Sequence, residues 1–555
     1  MAQITGGHLV ARYLKQIEAV DTVFTLSGGH IESILDGLSQ YGIRTIDVRH
    51  EQAAAMMAHA WTVYRGRPGV CLVTAGPGFT NALTGIANAF LENVPLVVLS
   101  GRHPLRDDLT GALQEMNQID MVKPVVKWCA TCHDIRRIPE YLATALRQAT
   151  TGRPGPVFLE LPPDILFTSV DEARAPLGPR PVRKACTLPQ EADLQEAARL
   201  IDAARQPLLV GGSGVKMSDC APLLKTFVEK TGLPFALLNY GRGALPDDHP
   251  LCINDGGFTG LMTGMPQADV IVIAGLRLNW VMQATKLFPQ AKVIRIDIAE
   301  HELDRNRPSQ VALAGDCGRV LERLLPLVST RRHDDWLGRL RRAYEAFMTT
   351  ELEKRRSAVD PIHPARLVQR IMDVFGRDAF YVADGGDTSY WALAGFQSIH
   401  PAGVLVPAGG LFGCLGTGIP FALAAKLAHP DKPVIVLNGD GSFGLNSMEF
   451  DTAVRHDIPV VCVVNNDCAW GMIKHSQELS LGADRCTCAE LGLRHYEKMV
   501  EGLGGYGELV EREADIVPAL ERAAASGKPA CVNVVTDPTV TSPATVMFYQ
   551  NLSGF

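Results

Sequence analysis

Short apolar runs alternate with helix-period stretches along nearly the whole chain, in three blocks. In residues 1–185 the runs TVFTL (22–26), VCLVT (70–74), PLVVLS (95–100) and PVFLEL (156–161) are almost continuous in Val, Leu and Ile. Such runs fit strands covered on both faces rather than half-solvated ones. Helical patterns lie between them, the clearest over 52–64. A Pro-rich stretch at 175–181 reads as a linker. Residues 187–330 repeat the style, with strand candidates at 207–210, 269–274 and 292–298. A charged helical stretch over 334–356 reads as a connector. The third block, 360–555, has its best strands at 379–382, 433–437 and 459–464. The predicted fold class is α/β: three doubly wound open parallel-sheet domains, divided at 1–185, 186–345 and 346–555.

Composition narrows the function classes. The 555 residues exceed one hydrophobic core. They are 46% apolar and 20% charged, a globular balance. The net charge is −7 and no long basic run occurs, so nucleic acid is not an expected partner. The 13 Cys have no framework spacing. Cys129 and Cys132 make a CxxC without a second pair, and Cys486 and Cys488 are too close for a usual zinc site, so reduced thiols are expected. The first residues lack the basic start and apolar core of a signal peptide, and no apolar run reaches the ~18 residues of a membrane span. A cytoplasmic protein without a membrane partner is the expectation.

One segment carries specific chemistry. Gly439-Asp440-Gly441-Ser442 follows the run VIVLN, and Asn465-Asn466 ends the run PVVCVV about 26 residues later. Neighbouring parallel strands would place Asp440 and Asn466 at their carboxyl ends, where open α/β sheets bind ligands. A hard divalent cation takes oxygen ligands and often shares phosphate oxygens. Asp440 offers a carboxylate, Asn466 an amide oxygen and Cys468 its backbone carbonyl. Gly439 and Gly441 let the backbone approach a diphosphate, which also favours a helix N-terminus. Asn446 and Glu449 are spaced as a capping box for a helix carrying Met448, Phe450 and Val454.

This GDG-to-NN spacing resembles the thiamine diphosphate signature, and the whole chain resembles the acetohydroxyacid-synthase-like superfamily. The resemblance implies a pyrimidine-binding, a middle and a diphosphate-binding domain, in that order. The stretches ITGGHLV, TLSGGHI, DVRHEQAA, VTAGPGFTNALTGIANA and PLRDDLTGALQ look like those of benzaldehyde lyases, whereas AGLRLNW (274–280) looks more like 2-hydroxyacyl-CoA lyases. By the same resemblance, Glu51 is the acid that protonates the coenzyme's pyrimidine, and a carboxyl in a dry pocket suits that task. Thr74, Gly78 and Asn81 belong to a loop beside the coenzyme. Leu415 within Gly413-Cys414-Leu415-Gly416 props it into a bent form, and Gly409 and Gly410 lie along its pyrimidine. His30 and Gln114 are the expected substrate-handling residues, His30 taking a hydroxyl proton and Gln114 orienting an oxygen.

The implied cofactors are thiamine diphosphate and Mg2+; FAD is not expected. The implied partners are a small aldehyde, acyloin or 2-oxo acid. A homodimer or homotetramer with sites at the subunit interface is also implied. The expected activity is carbon–carbon cleavage or ligation of acyloins (2-hydroxy ketones). The alternatives are a 2-hydroxyacyl-CoA lyase and an acetolactate-synthase-type 2-oxo acid decarboxylase or carboligase. From other classes come a flavin oxidase, with flavin at 211–214 and Asp297, and a non-catalytic binding protein of the same fold. Ser389, Tyr390, Trp391 and Trp470 are weaker candidates for the acceptor side, and the tail at 541–555, with Met547, Phe548 and Tyr549, could close over the site.

Overall fold

The computed structural model describes residues 2–179, 187–253, 259–279, 286–356 and 360–553. Residues 180–186, Trp280 and the Phe548 side chain, all singled out in the sequence, lie outside the described residues. Three α/β domains are present, each with its own parallel sheet. Edge to edge, the first sheet runs Arg44–Asp47, Thr22–Thr25, Gly69–Val73, Leu96–Gly101, Val157–Leu161, Trp128–Thr131. The third runs Val404–Leu405, Phe380–Asp384, Val434–Gly439, Val461–Asn466, Ala530–Val535, Tyr506–Val510. Numbered within its own domain, each sheet has the order 2-1-3-4-6-5. The middle sheet, from Phe235–Leu237 through Pro207–Gly211, Val270–Ala274 and Lys292–Asp297 to Val311–Ala314, has the order 2-1-3-4-5.

The strand interiors explain the continuous apolar runs. Leu96–Gly101 and Val270–Ala274 are buried at every position because helices cover both faces. The 334–356 connector forms a helix, Asp334–Arg356, whose Trp336 donates its indole N–H to the Pro207 carbonyl at 2.8 Å. Among the described residues, no helix is long and apolar enough to cross a membrane.

The chain groups into two compact units. One contains residues 1–185 together with 419–430 and 446–458; the other contains the remainder. Within the first unit, Phe421 packs edge-on against His59 and His429 against Tyr64. The capping box expected at Asn446 and Glu449 is not formed. The segment breaks into two short helices, Asp440–Asn446 and Glu449–Arg455, and the second is capped by Met448 without a side-chain hydrogen bond. The buried Glu449 carboxylate instead accepts the amide N–H groups of Arg49 (3.0 Å) and His50 (3.1 Å) and the Thr452 hydroxyl (2.6 Å). These donors lie in its own compact unit, and together they offset more of a buried carboxylate's desolvation than a single cap bond. Burial still pushes its carboxyl up to about 7. Glu449→Ala removes the acceptor of the part-buried Arg49 and His50 amides directly ahead of Glu51. It should cost roughly 1–3 kcal/mol in urea unfolding, and a loss under about 0.5 kcal/mol would remove this anchoring role.

Candidate active site

In the first sheet the strand order reverses between Thr22–Thr25 and Gly69–Val73. The loops leaving these strands meet there, as expected at a topological switch point. The first carries His30, in a single 3₁₀ turn, and the second carries Thr74. His30 Nδ1 lies 3.3 Å from Thr74 Oγ1. Burial, then the nearby His103, holds the His30 pKa below its ordinary value, so the neutral ring is favoured.

Glu51 opens the helix Glu51–Arg65 and is buried. Asn81 Nδ2 donates to its Oε2 at 2.9 Å. Gly78 separates this pair from Thr74. A methyl group added there would sit 2.7 Å from Thr74 Cγ2 and 3.5 Å from Glu51 Oε1, so only glycine allows the approach. Gln114 completes the patch, because a side chain at Gly76 would meet its Cβ at 2.8 Å. The Gln114 amide oxygen is buried and meets no donor among the described residues. The structure therefore gathers Glu51, Asn81, Gly78, Thr74, His30 and Gln114 around one switch point.

Two supports had no signal in the sequence. Gln118 is buried; its amide oxygen accepts from Gly76 N (2.9 Å), and its amide nitrogen donates to Gly101 O (3.0 Å) and Glu160 Oε1 (2.9 Å). It thereby braces the loop against which Gln114 rests. Glu115 accepts the amides of Leu109, Gly111 and Ala112, while Asp108 binds His103 and Arg102. The cluster of His103, Asp108 and Glu115 is thus a clasp that shapes the loop bearing Gln114.

The third sheet has its own switch point, between Phe380–Asp384 and Val434–Gly439. Gly439 ends its strand in register with Asn465, so Asp440 and Asn466 stand at adjacent strand ends, as anticipated. One Asp440 oxygen accepts from Gly441 N at 2.9 Å, and the other is buried and meets no donor among the described residues. Burial, then the neighbouring Asp467 carboxylate, pushes Asp440 up to about 8, and burial also raises Asp467. Asn466 Oδ1 accepts from Cys468 N (3.1 Å), and its amide nitrogen donates to Asn533 Oδ1 (2.9 Å). The Cys468 carbonyl takes two amides, from Leu491 (2.8 Å) and Gly492 (2.9 Å), so a cation at that oxygen would compete with both.

An orphaned buried carboxylate oxygen beside a second carboxylate is costly without a counter-charge. An all-oxygen donor set suits a hard cation such as Mg2+, so the residues fit that group.

A cavity of about 360 Å³ runs from this point. Gly409, Gly413, Leu415, Gly439, Gly441 and Ser442 line it; Gly410 does not. Gly441 is again a steric necessity, since a methyl group there would lie 2.5 Å from the Trp470 ring. Ser389, Tyr390 and Trp470 line the cavity, but Trp391 belongs to the core, against Tyr390 and His363. Asp384, fully buried, was missed. Its carboxylate accepts from Gly418 N at 2.8 Å and from the Gly416 and Thr417 amides, pinning the turn that carries Leu415; burial pushes it up to about 7.

Residues 4–121, 194–324 and 384–534 match the N-terminal TPP binding, central and C-terminal TPP binding domains of thiamine pyrophosphate enzymes. The chain belongs to the thiamine pyrophosphate enzyme family. Relatives include a probable acetolactate synthase of Mycobacterium bovis and an acetolactate synthase large subunit of Mycobacterium tuberculosis. Each is 38% identical over 548 residues, covering 97% of both chains. The human 2-hydroxyacyl-CoA lyase 2 is 33% identical over 96% of this chain and 90% of its own. The protein is a thiamine-diphosphate-dependent enzyme of a family that contains carbon–carbon lyases and carboligases.

Proposed function

We propose that this enzyme cleaves or forms acyloins, with His30 and Gln114 handling the substrate's oxygen atoms, in the manner of benzaldehyde lyases. The observation that carries this reading is a half-buried histidine at the first switch point, 3.3 Å from the Thr74 hydroxyl and held below its ordinary pKa by burial, in the domain that also holds a buried Gln114 amide oxygen meeting no donor among the described residues. Thiamine diphosphate, when bound, supplies the carbanion chemistry at the carbonyl carbon. Asp440 and Asn466 would hold its Mg2+, and Gly439, Gly441, Ser442 and Leu415, which line the same cavity, would hold the rest of the coenzyme. Glu51, oriented by Asn81, would be the acid that holds the proton for the coenzyme's pyrimidine. His30 accepts a proton from a substrate hydroxyl, and Thr74 fixes the plane of its ring. The resemblance to the family supports a homodimer or homotetramer with sites at the subunit interface.

Two other substrates have specific support. The acetolactate synthase relatives favour a 2-oxo acid entering by decarboxylation. The 2-hydroxyacyl-CoA lyase relatives favour a thioester. Purified protein loaded with thiamine diphosphate and Mg2+ is offered benzoin, acetoin, pyruvate and a 2-hydroxyacyl-CoA side by side. Acyloin cleavage supports the proposal; turnover of pyruvate or of the thioester alone rejects it.

His30 also yields a pH prediction. Its pKa is depressed, so the proton-accepting form persists below the ordinary range. Activity (kcat/KM) should stay level as pH falls past ~6.5 and decline only below it. His30→Ala should remove that acid limb and lower kcat/KM by about 10²-fold, with thiamine diphosphate still bound. A wild-type acid limb centred above 7, or unchanged cleavage by the variant, would remove His30 from the mechanism.

A further inference from the structure

Ala544 and Met547, from the helix Pro543–Ser553, line the same cavity as Asp387, Met472 and Ile473. Behind this wall lies a buried polar network. His475, only 2% exposed, sits on the helix Gly471–Leu481. Its Nδ1 faces Asp387 Oδ2 at 2.9 Å, and its Nε2 faces the Pro538 carbonyl at 2.9 Å. A carboxylate and a carbonyl only accept, so both ring nitrogens must donate and the ring is an imidazolium. The second Asp387 oxygen accepts the hydroxyls of Ser542 and Thr545. Asp387 is thus fastened three times, and every fastening except its helix leads to residues 538–545.

We propose that His475 is a positioning residue: as an imidazolium bridging Asp387 and the Pro538 carbonyl, it fastens residues 538–547 over the cavity and fixes the apolar wall against which substrate packs. The charge environment supports the ring's proton. Burial works against the charged ring, but the hydrogen bonds to Asp387 and the Pro538 carbonyl and the negative charges of Asp387 and Glu478 outweigh it and raise its pKa, and Asp467 lies within electrostatic reach of the ring. Loss of that proton turns one nitrogen lone pair toward an acceptor oxygen, which is costly in a buried site. The fastening is therefore complete below the ordinary His range and is lost as pH rises through the raised pKa.

The test compares the wild-type holoenzyme with His475→Gln, following the protection factors of amides 539–542 and 544–547 (exchange relative to the intrinsic rate at each pH) and Michaelis kinetics from pH 6 to 10. In the variant, exchange in this segment should quicken about tenfold and KM should rise about tenfold, with kcat within about threefold; tenfold corresponds to ~1.4 kcal/mol. The wild type should approach the variant at high pH, while the variant stays flat. Unchanged exchange and KM, or a variant that keeps the wild-type pH dependence, overturns the proposal. Should His475→Gln fail to fold, Ser542→Ala with Thr545→Val removes the other fastenings and should produce the same faster exchange. The kinetic arm rests on the function proposed above. The exchange arm does not, so failure of one leaves the other readable.

Discussion

Glu51→Gln should lower kcat by about 10²–10⁴-fold, the range of a lost general acid–base group. Glutamine keeps the shape of the side chain and presents an oxygen to Asn81, which now donates to Glu51 Oε2 at 2.9 Å. It cannot give or take a proton. Glutamine at the first position of the helix Glu51–Arg65 leaves the helix backbone and the amides held by Glu449 in place, so the fold should be unaffected. Thiamine diphosphate with Mg2+ should raise the melting temperature of variant and wild type alike, because the diphosphate residues belong to the other compact unit. Turnover and thermal shift together separate lost chemistry from lost binding. A variant that retains kcat within tenfold would show that Glu51 is not the acid.

What was legible in the sequence follows from locality. Strands such as Gly69–Val73 and Val434–Gly439 fell within one or two residues of expectation, because burial on both faces leaves an uninterrupted apolar run. The Asp334–Arg356 helix matched in full. Glycine-rich strand ends were legible for the same reason: Gly78 and Gly441 permit contacts that any side chain would block. The supporting residues were not legible. Gln118 meets Glu160 42 residues away, Asp384 meets Gly418 34 residues away, and His475 meets Asp387 88 residues away. A lone Gln, Asp or His inside an ordinary pattern carries no mark of such partners. Glu449 failed in the opposite sense. Its spacing from Asn446 suggested a local cap, but donors about 400 residues earlier in the chain claimed it.

The shared 2-1-3-4-6-5 order of the first and third sheets gives the two proposed halves of the site equivalent addresses. In each, the reversal of strand order opens a crevice after the first and third strands of the domain. In the first domain that address holds His30, Thr74 and the Glu51–Asn81 pair. In the third it holds Gly385, Asp440 and Ser442. Three blocks of similar rhythm were visible in the sequence. Equivalence of their topology was not, because hydropathy fixes that a strand is buried but not which neighbours it takes.

Asp440→Asn should abolish the stabilisation that thiamine diphosphate and Mg2+ confer, while leaving the cofactor-free protein as stable as wild type or more so. In the cofactor-free protein, Asp440 has one orphaned buried oxygen and a carboxylate neighbour, Asp467; this arrangement pushes it up to about 8. Removing the charge relieves that conflict. The same change replaces a charged oxygen with an amide that cannot neutralise a divalent cation. At a ligand concentration of about 100 times Kd, bound cofactor stabilises by ~2.7 kcal/mol. With roughly 2–4 °C per kcal/mol for a domain of this size, the wild type should gain about 5–10 °C on loading. The variant should gain under about 2 °C and show no turnover. An Asp440→Asn protein that gains as much as the wild type would place the cation elsewhere, and the reading of this strand end as the diphosphate anchor would fall with it.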